Sequence, residues 1–103
     1  MQRVTLVQYT AKPDRAVENE ALSRAVFAEL RASMPTGMTY MFFREGRDFV
    51  HLFVNTRSDD ATVLTELPSF KAFTEGSMDR YETPPAVTRL SLEMVESYGL
   101  APE

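Results

Sequence analysis

Phe49-Val50-His51-Leu52-Phe53-Val54 is apolar on both faces of a strand. Side chains alternate across a strand, so Phe49, His51 and Phe53 point one way and Val50, Leu52 and Val54 the other. A strand apolar on both faces needs cover on both. Working outward shows what the chain offers as cover. Just before it lies a second apolar run, Met38-Thr39-Tyr40-Met41-Phe42-Phe43-Arg44, joined to the first by the short turn Glu45-Gly46-Arg47-Asp48. Further upstream a long helix opens at Pro13 and Asp14 and stops at Pro35-Thr36-Gly37. Its apolar stripe is Val17, Ala21, Leu22, Ala25, Val26, Leu30 and Met34, and its i,i+4 pair is Glu20 with Arg24. The first strand is Arg3-Val4-Thr5-Leu6-Val7-Gln8-Tyr9-Thr10, rich in β-branched and aromatic residues.

Downstream, Ser58, Asp59 or Asp60 is placed to cap a helix. Pro68 breaks that helix, giving a short piece over 61–66 and a second from Pro68 to about Tyr81. Glu82-Thr83-Pro84-Pro85 is a loop. The last strand runs from Val87 to about Val95, at most to Tyr98, and the chain from Gly99 reads as frayed. The order is strand, helix, strand, strand, helix, strand. That pattern predicts a ferredoxin-like α+β fold, β-α-β-β-α-β, with one four-stranded antiparallel sheet and both helices on one face. Two helices cover one face of the third strand; the expectation is that a second copy of the chain covers the other.

Bulk properties narrow the function. At 103 residues the chain reads as one domain. Its net charge is −4 and it shows no basic patch, which argues against nucleic acid as partner. No apolar run approaches the roughly 18 residues a membrane span needs. The N-terminus already alternates like a strand and lacks the apolar stretch of a signal peptide. With no cysteine, disulfides, thiolate metal sites and a cysteine nucleophile are excluded, and a cytoplasmic protein fits.

Glu66-Leu67-Pro68-Ser69-Phe70-Lys71-Ala72-Phe73 resembles the start of the second helix in the dimeric α+β barrel superfamily, which includes the antibiotic-biosynthesis monooxygenase-like proteins. There a proline, often a histidine, then Phe-x-x-Phe follow the third strand; here Ser69 stands at the histidine position. The layout covers nearly the whole chain and the motif about eight residues. The resemblance implies a homodimer whose two sheets face each other with helices outside, and a pocket between each sheet and its helices. It also implies cofactor-independent oxygenation or isomerisation of apolar or aromatic compounds among the possible activities. The chain has no tryptophan, and no catalytic residue carries over by motif.

The residues themselves supply the candidates. His51 is the only histidine, and its face mixes ring carbons with polar tips, as ligand pockets do. It is the candidate catalytic group, since imidazole serves as base or donor near neutral pH; the plain alternative is a core histidine bonded to its neighbours. Gln8 and Tyr9 lie on the strand expected beside it, and one of the two shares its face. Tyr40 and Phe42, with Arg44, share a face of the second strand, and Phe53 shares that of His51. Phe70 and Phe73, with Met78 and Tyr81, could roof a pocket or simply form core. Gln8, Tyr9, Tyr40, Phe42, Phe53, Phe70 and Phe73 are therefore the candidate ligand contacts. Zinc spacing, a phosphate-cradling glycine loop and a nucleophile elbow are absent from the sequence, so neither metal nor cofactor is called for. The function expected is a pocket for a small apolar or aromatic molecule; the alternative is a non-catalytic homodimeric structural or regulatory module.

Overall fold

A computed structural model of the chain describes residues 2–56 and 62–99. The elements follow in the order β1 (Gln2–Thr10), α1 (Ala16–Ser33), β2 (Met38–Glu45), β3 (Asp48–Asn55), α2 (Thr62–Thr65), α3 (Pro68–Thr74), α4 (Ser77–Arg80) and β4 (Ala86–Leu92). The strands form one sheet in the order β2-β3-β1-β4, every pair antiparallel. This is the β-α-β-β-α-β ferredoxin-like layout that the segment order predicts. The candidate caps Ser58, Asp59 and Asp60, and the chain beyond Gly99, lie outside the described residues.

Three elements differ from the sequence reading. The helix expected from Pro68 to Tyr81 is two helices, because Gly76 takes a left-handed backbone (φ 72°) between α3 and α4, a conformation that glycine reaches without a steric cost. β4 ends at Leu92, short of Val95. The third difference is the buried face of α1. Val17 and Met34 are exposed, at 76% and 77%, and Ala21 and Ala25 are exposed as well. The residues that turn inward are Ala16, Asn19, Ser23, Val26 and Leu30. They recur at steps of three and four, as a helix face must, but two of the five are polar and escape a hydropathy pattern.

The core lies between the helices and one sheet face. Tyr9, Phe49, Phe53, Val26, Leu30, Leu64, Phe73 and Tyr81 are buried there. Strand register fixes which residues share that face: Phe49, His51, Phe53 and Asn55 on β3 beside Val7 and Tyr9 on β1 and Tyr40 and Phe42 on β2. The opposite face carries Val4 and Leu6, Val50, Leu52 and Val54, and Met41, all half-buried. Phe43, Leu90 and Leu92 on that face are 46–48% exposed. Among the described residues no helix is long and apolar enough to cross a membrane.

Candidate functional site

The site is assembled by the pairing of β3 with its neighbours. Val7 on β1 and Phe42 on β2 stand directly opposite His51, while Tyr9 stands opposite Phe49 and Tyr40 opposite Phe53. Tyr9 and Tyr40 thus reach His51 along opposite diagonals, a distance long aromatic side chains can span. The Tyr9 hydroxyl lies 2.7 Å from His51 Nε2 and the Tyr40 hydroxyl 2.8 Å from Nδ1. Both imidazole nitrogens are therefore engaged by tyrosine hydroxyls.

Burial decides the charge state. His51 is 5% exposed, and its desolvation pushes the imidazole pKa down to about 4. Burial raises the Tyr9 and Tyr40 phenols well above their ordinary value. At neutral pH all three groups are uncharged. A neutral imidazole has one N–H and one bare nitrogen, so one tyrosine donates to the ring and the other accepts from it.

The chain continues behind Tyr9. Asn19 Nδ2 donates to the Tyr9 hydroxyl at 2.7 Å, and Arg80 Nε donates to Asn19 Oδ1 at 3.1 Å. Guanidinium has only donors, so Arg80 requires the amide oxygen and turns the NH2 group toward Tyr9. Arg80 is itself 2% exposed. It donates to the Phe73 and Glu75 carbonyls, at 2.6 and 3.4 Å, the carbonyls at the end of α3, where a cation opposes the helix dipole favourably. The Phe73 ring lies 5.1 Å from its guanidinium carbon. Tyr81 stacks on Tyr9 with ring centroids 4.0 Å apart.

Against this polar line opens a cavity of about 310 Å³, at the small end of the ~300–1,000 Å³ typical of small-molecule sites. Tyr9, Tyr40, His51 and Tyr81 line it, with Phe53, Phe70 and Phe73 as apolar wall; Thr5, Arg3 and Arg89 line its β1–β4 side. None of the described lining residues carries a carboxylate. Such a lining suits a flat apolar body with one or two polar groups that hydrogen-bond a hydroxyl.

Of the sequence candidates, His51, Tyr9, Tyr40, Phe53, Phe70 and Phe73 come together at the cavity. Between Gln8 and Tyr9, the register selects Tyr9. Gln8 pairs with Val50 and Ala86 on the opposite face and is exposed. Phe42 packs on His51, centroids 4.8 Å apart, and on Phe49, so it backs the site without lining the cavity. Arg44 is taken by Glu20 at 2.7 Å and by the Gly46 carbonyl. Ser69, at the position where the resembled motif often has histidine, receives the Glu29 carboxylate on its N–H and hydroxyl, at 3.0 and 2.5 Å. That contact satisfies the first turn of α3 and holds Glu29 below the usual carboxylate range. The sequence reading missed Asn19 and Arg80. The only sequence signal for Asn19 is its three- and four-residue spacing from Ala16 and Ser23. Among the described residues no group of three or more His, Asp or Glu side chains could hold a metal ion.

No protein-family model matches the chain, and no curated protein matches it significantly. Solved structures do. Rv0793 from Mycobacterium tuberculosis superposes with a TM-score of 0.77 at 18% identity, over 93% of this chain and 100% of that one. A candidate antibiotic biosynthesis monooxygenase from Caulobacter crescentus CB15 gives 0.73 at 20% identity, over 89% and 91%. PA3566 from Pseudomonas aeruginosa gives 0.72 at 18% identity, over 90% and 95%. At such identities the likeness is one of fold, and it is the fold of antibiotic-biosynthesis monooxygenase-like proteins that the 66–73 motif resembles.

Proposed function

We propose that the chain binds a small apolar or aromatic molecule in the cavity between its sheet and its helices, with Tyr40, His51 and Tyr9 orienting the ligand's polar group. The observation that carries this reading is the cavity of about 310 Å³ with a tyrosine–histidine–tyrosine line along its wall. Its enzymatic form is a cofactor-independent oxygenation or isomerisation, as the resemblance implies; of the two, oxygenation is in keeping with the names of several proteins that share the fold. A homodimer through the open sheet face is supported by the half-exposed Val50, Leu52 and Val54 and by the resemblance. The lack of cysteine fits a reducing cytoplasm.

Thermal unfolding at fixed protein concentration tests the binding. The panel is quinols, polycyclic phenols, small lactones and haem. A ligand at 100 times its Kd stabilises the fold by about 2.7 kcal/mol, on the order of 10 °C for a chain this size. A shift lost in His51→Gln supports the reading; no shift with any class opposes it.

One observation favours a second reading, a non-catalytic dimer module. Every nitrogen of His51 already has a protein partner, as a purely structural core histidine would. On that reading His51→Gln lowers stability and changes no affinity.

A further inference from the structure

Tyr9 has three hydrogen-bonding positions, one donor and two acceptors. Asn19, oriented by Arg80, always fills one acceptor. The other two positions are then a matched donor and acceptor, one facing His51 and one where Tyr9 meets the Tyr81 hydroxyl, which lines the same cavity as Tyr9 and would give way to a ligand there. Tyr40 is arranged alike: it bonds His51 Nδ1 on one side and lines the same cavity. The line can therefore run in either direction with every partner satisfied. In one, Tyr40 donates to Nδ1 and Nε2–H donates to Tyr9; in the other, Tyr9 donates to Nε2 and Nδ1–H donates to Tyr40. Both ends meet one cavity.

We propose that Tyr40, His51 and Tyr9 form a proton relay that returns to the bound molecule, at a second atom, the hydrogen it takes from the first. The cavity would then be a tautomerising site for an enolisable carbonyl compound with an aromatic or apolar body. This rests on the ligand-site reading above. The step balances within the ligand and the relay. The enol O–H breaks and its proton passes to the Tyr40 oxygen; the Tyr40 proton passes to Nδ1; the Nε2 proton passes to Tyr9; and the Tyr9 proton forms a C–H bond at the ligand's α-carbon. The ligand's C=C becomes a single bond as its C–O becomes C=O, no oxidant or reductant is used, and the relay ends in its opposite direction. Burial, which disfavours charge on each of the three groups, suits a concerted transfer in which none becomes an ion.

The test follows the enol absorbance of phenylpyruvate and of 1-phenylbutane-1,3-dione, with thermal unfolding of the same samples as the measure of binding. The wild type is expected to bind a probe and to accelerate the change from enol to ketone over buffer. Tyr40→Phe and His51→Gln weaken binding, and at saturating probe they should still lower kcat by about 10²–10⁴-fold, a loss that neither weaker binding nor a merely structural role would give. In mixtures of light and heavy water the wild-type rate should fall along a curve, the mark of several protons in flight, and this needs no variant to fold. Binding without acceleration, unchanged kcat in folded variants, or a straight line overturns the relay and leaves the binding site standing. If neither probe binds, the ligand class is wrong and the relay falls with it.

Discussion

His51 owes its state to burial between two phenols. In the folded chain its pKa is about 4, against an ordinary value of 6.5. Between these values the unfolded chain takes up a proton that the folded chain refuses. The stabilisation is complete above about pH 6.5 and is lost as the pH falls toward 4, by roughly 3 kcal/mol in all. Urea midpoints at pH 7 and 4.5 should show this loss in the wild type, and a smaller one in His51→Gln, where only the carboxylates titrate. Asn19 is a second residue whose value lies in its partners. Asn19→Leu keeps the volume but strips Arg80 Nε and the Tyr9 hydroxyl of their contacts, leaving a buried cation short of one acceptor. We expect a loss of about 2–4 kcal/mol, read from chemical denaturation. The sequence shows His51 as the lone imidazole on a mixed face, and that reading places it well. Arg80 is not legible in this way: a charged residue just before Tyr81 reads as solvent-exposed, and its contacts with Asn19 on α1 and with Phe73 and Glu75 at the end of α3 form only in the folded chain.

Among the elements, the strands were the readable part, because a period of two is short and a register is fixed by one buried face. That Tyr40 sides with Phe42 on β2, and Phe49 and Phe53 with His51 on β3, follows directly from alternation; that the two sets share one face is set by the β2–β3 register. Nor does alternation choose between Gln8 and Tyr9, since that depends on how β1 slides against β3. The inward face of α1 departs from the hydropathy pattern because it carries Asn19 and Ser23 beside Val26 and Leu30 while Val17 and Met34 point outward; the polar line behind Tyr9 displaces apolar residues from the face that hydropathy would assign to them. The end of α1 gives an element-scale prediction. Met34 caps the helix in a left-handed conformation (φ 48°) while its N–H donates to the Leu30 carbonyl at 2.8 Å. A side chain is strained there and glycine is not. Met34→Gly should therefore raise stability by about 0.5–1 kcal/mol, seen as a higher melting temperature, because the exposed methionine gives up little packing.

For the whole molecule, the sheet has a helix-covered face that holds the site and an open face of aliphatic side chains. Val50, Leu52 and Val54 form the middle of that open face, flanked by Leu6, Met41 and Leu90. Light scattering behind a sizing column should give about twice the chain mass of 11.7 kDa. Leu52→Lys, which puts a charge where two sheets would meet, should return it toward the monomer mass. A wild type that runs as a monomer would remove the account of why β3 is apolar on both sides. The described lining of the cavity comes from one chain, so Leu52→Lys should keep the tyrosine–histidine line.

Because His51 is the only histidine, labelling histidine with ¹⁵N gives an NMR spectrum that reports this one ring: its two nitrogens, their tautomer and their protonation. A titration from pH 7.5 to 4.5, without ligand and with the phenol that gives the largest thermal shift, is the most direct test of the central claim. The imidazole should stay neutral down to about pH 5, with both nitrogens hydrogen-bonded, and at least one nitrogen should shift when the phenol binds. A ring that titrates near 6.5 as in a free peptide, or that does not respond to a bound phenol, would contradict the claim.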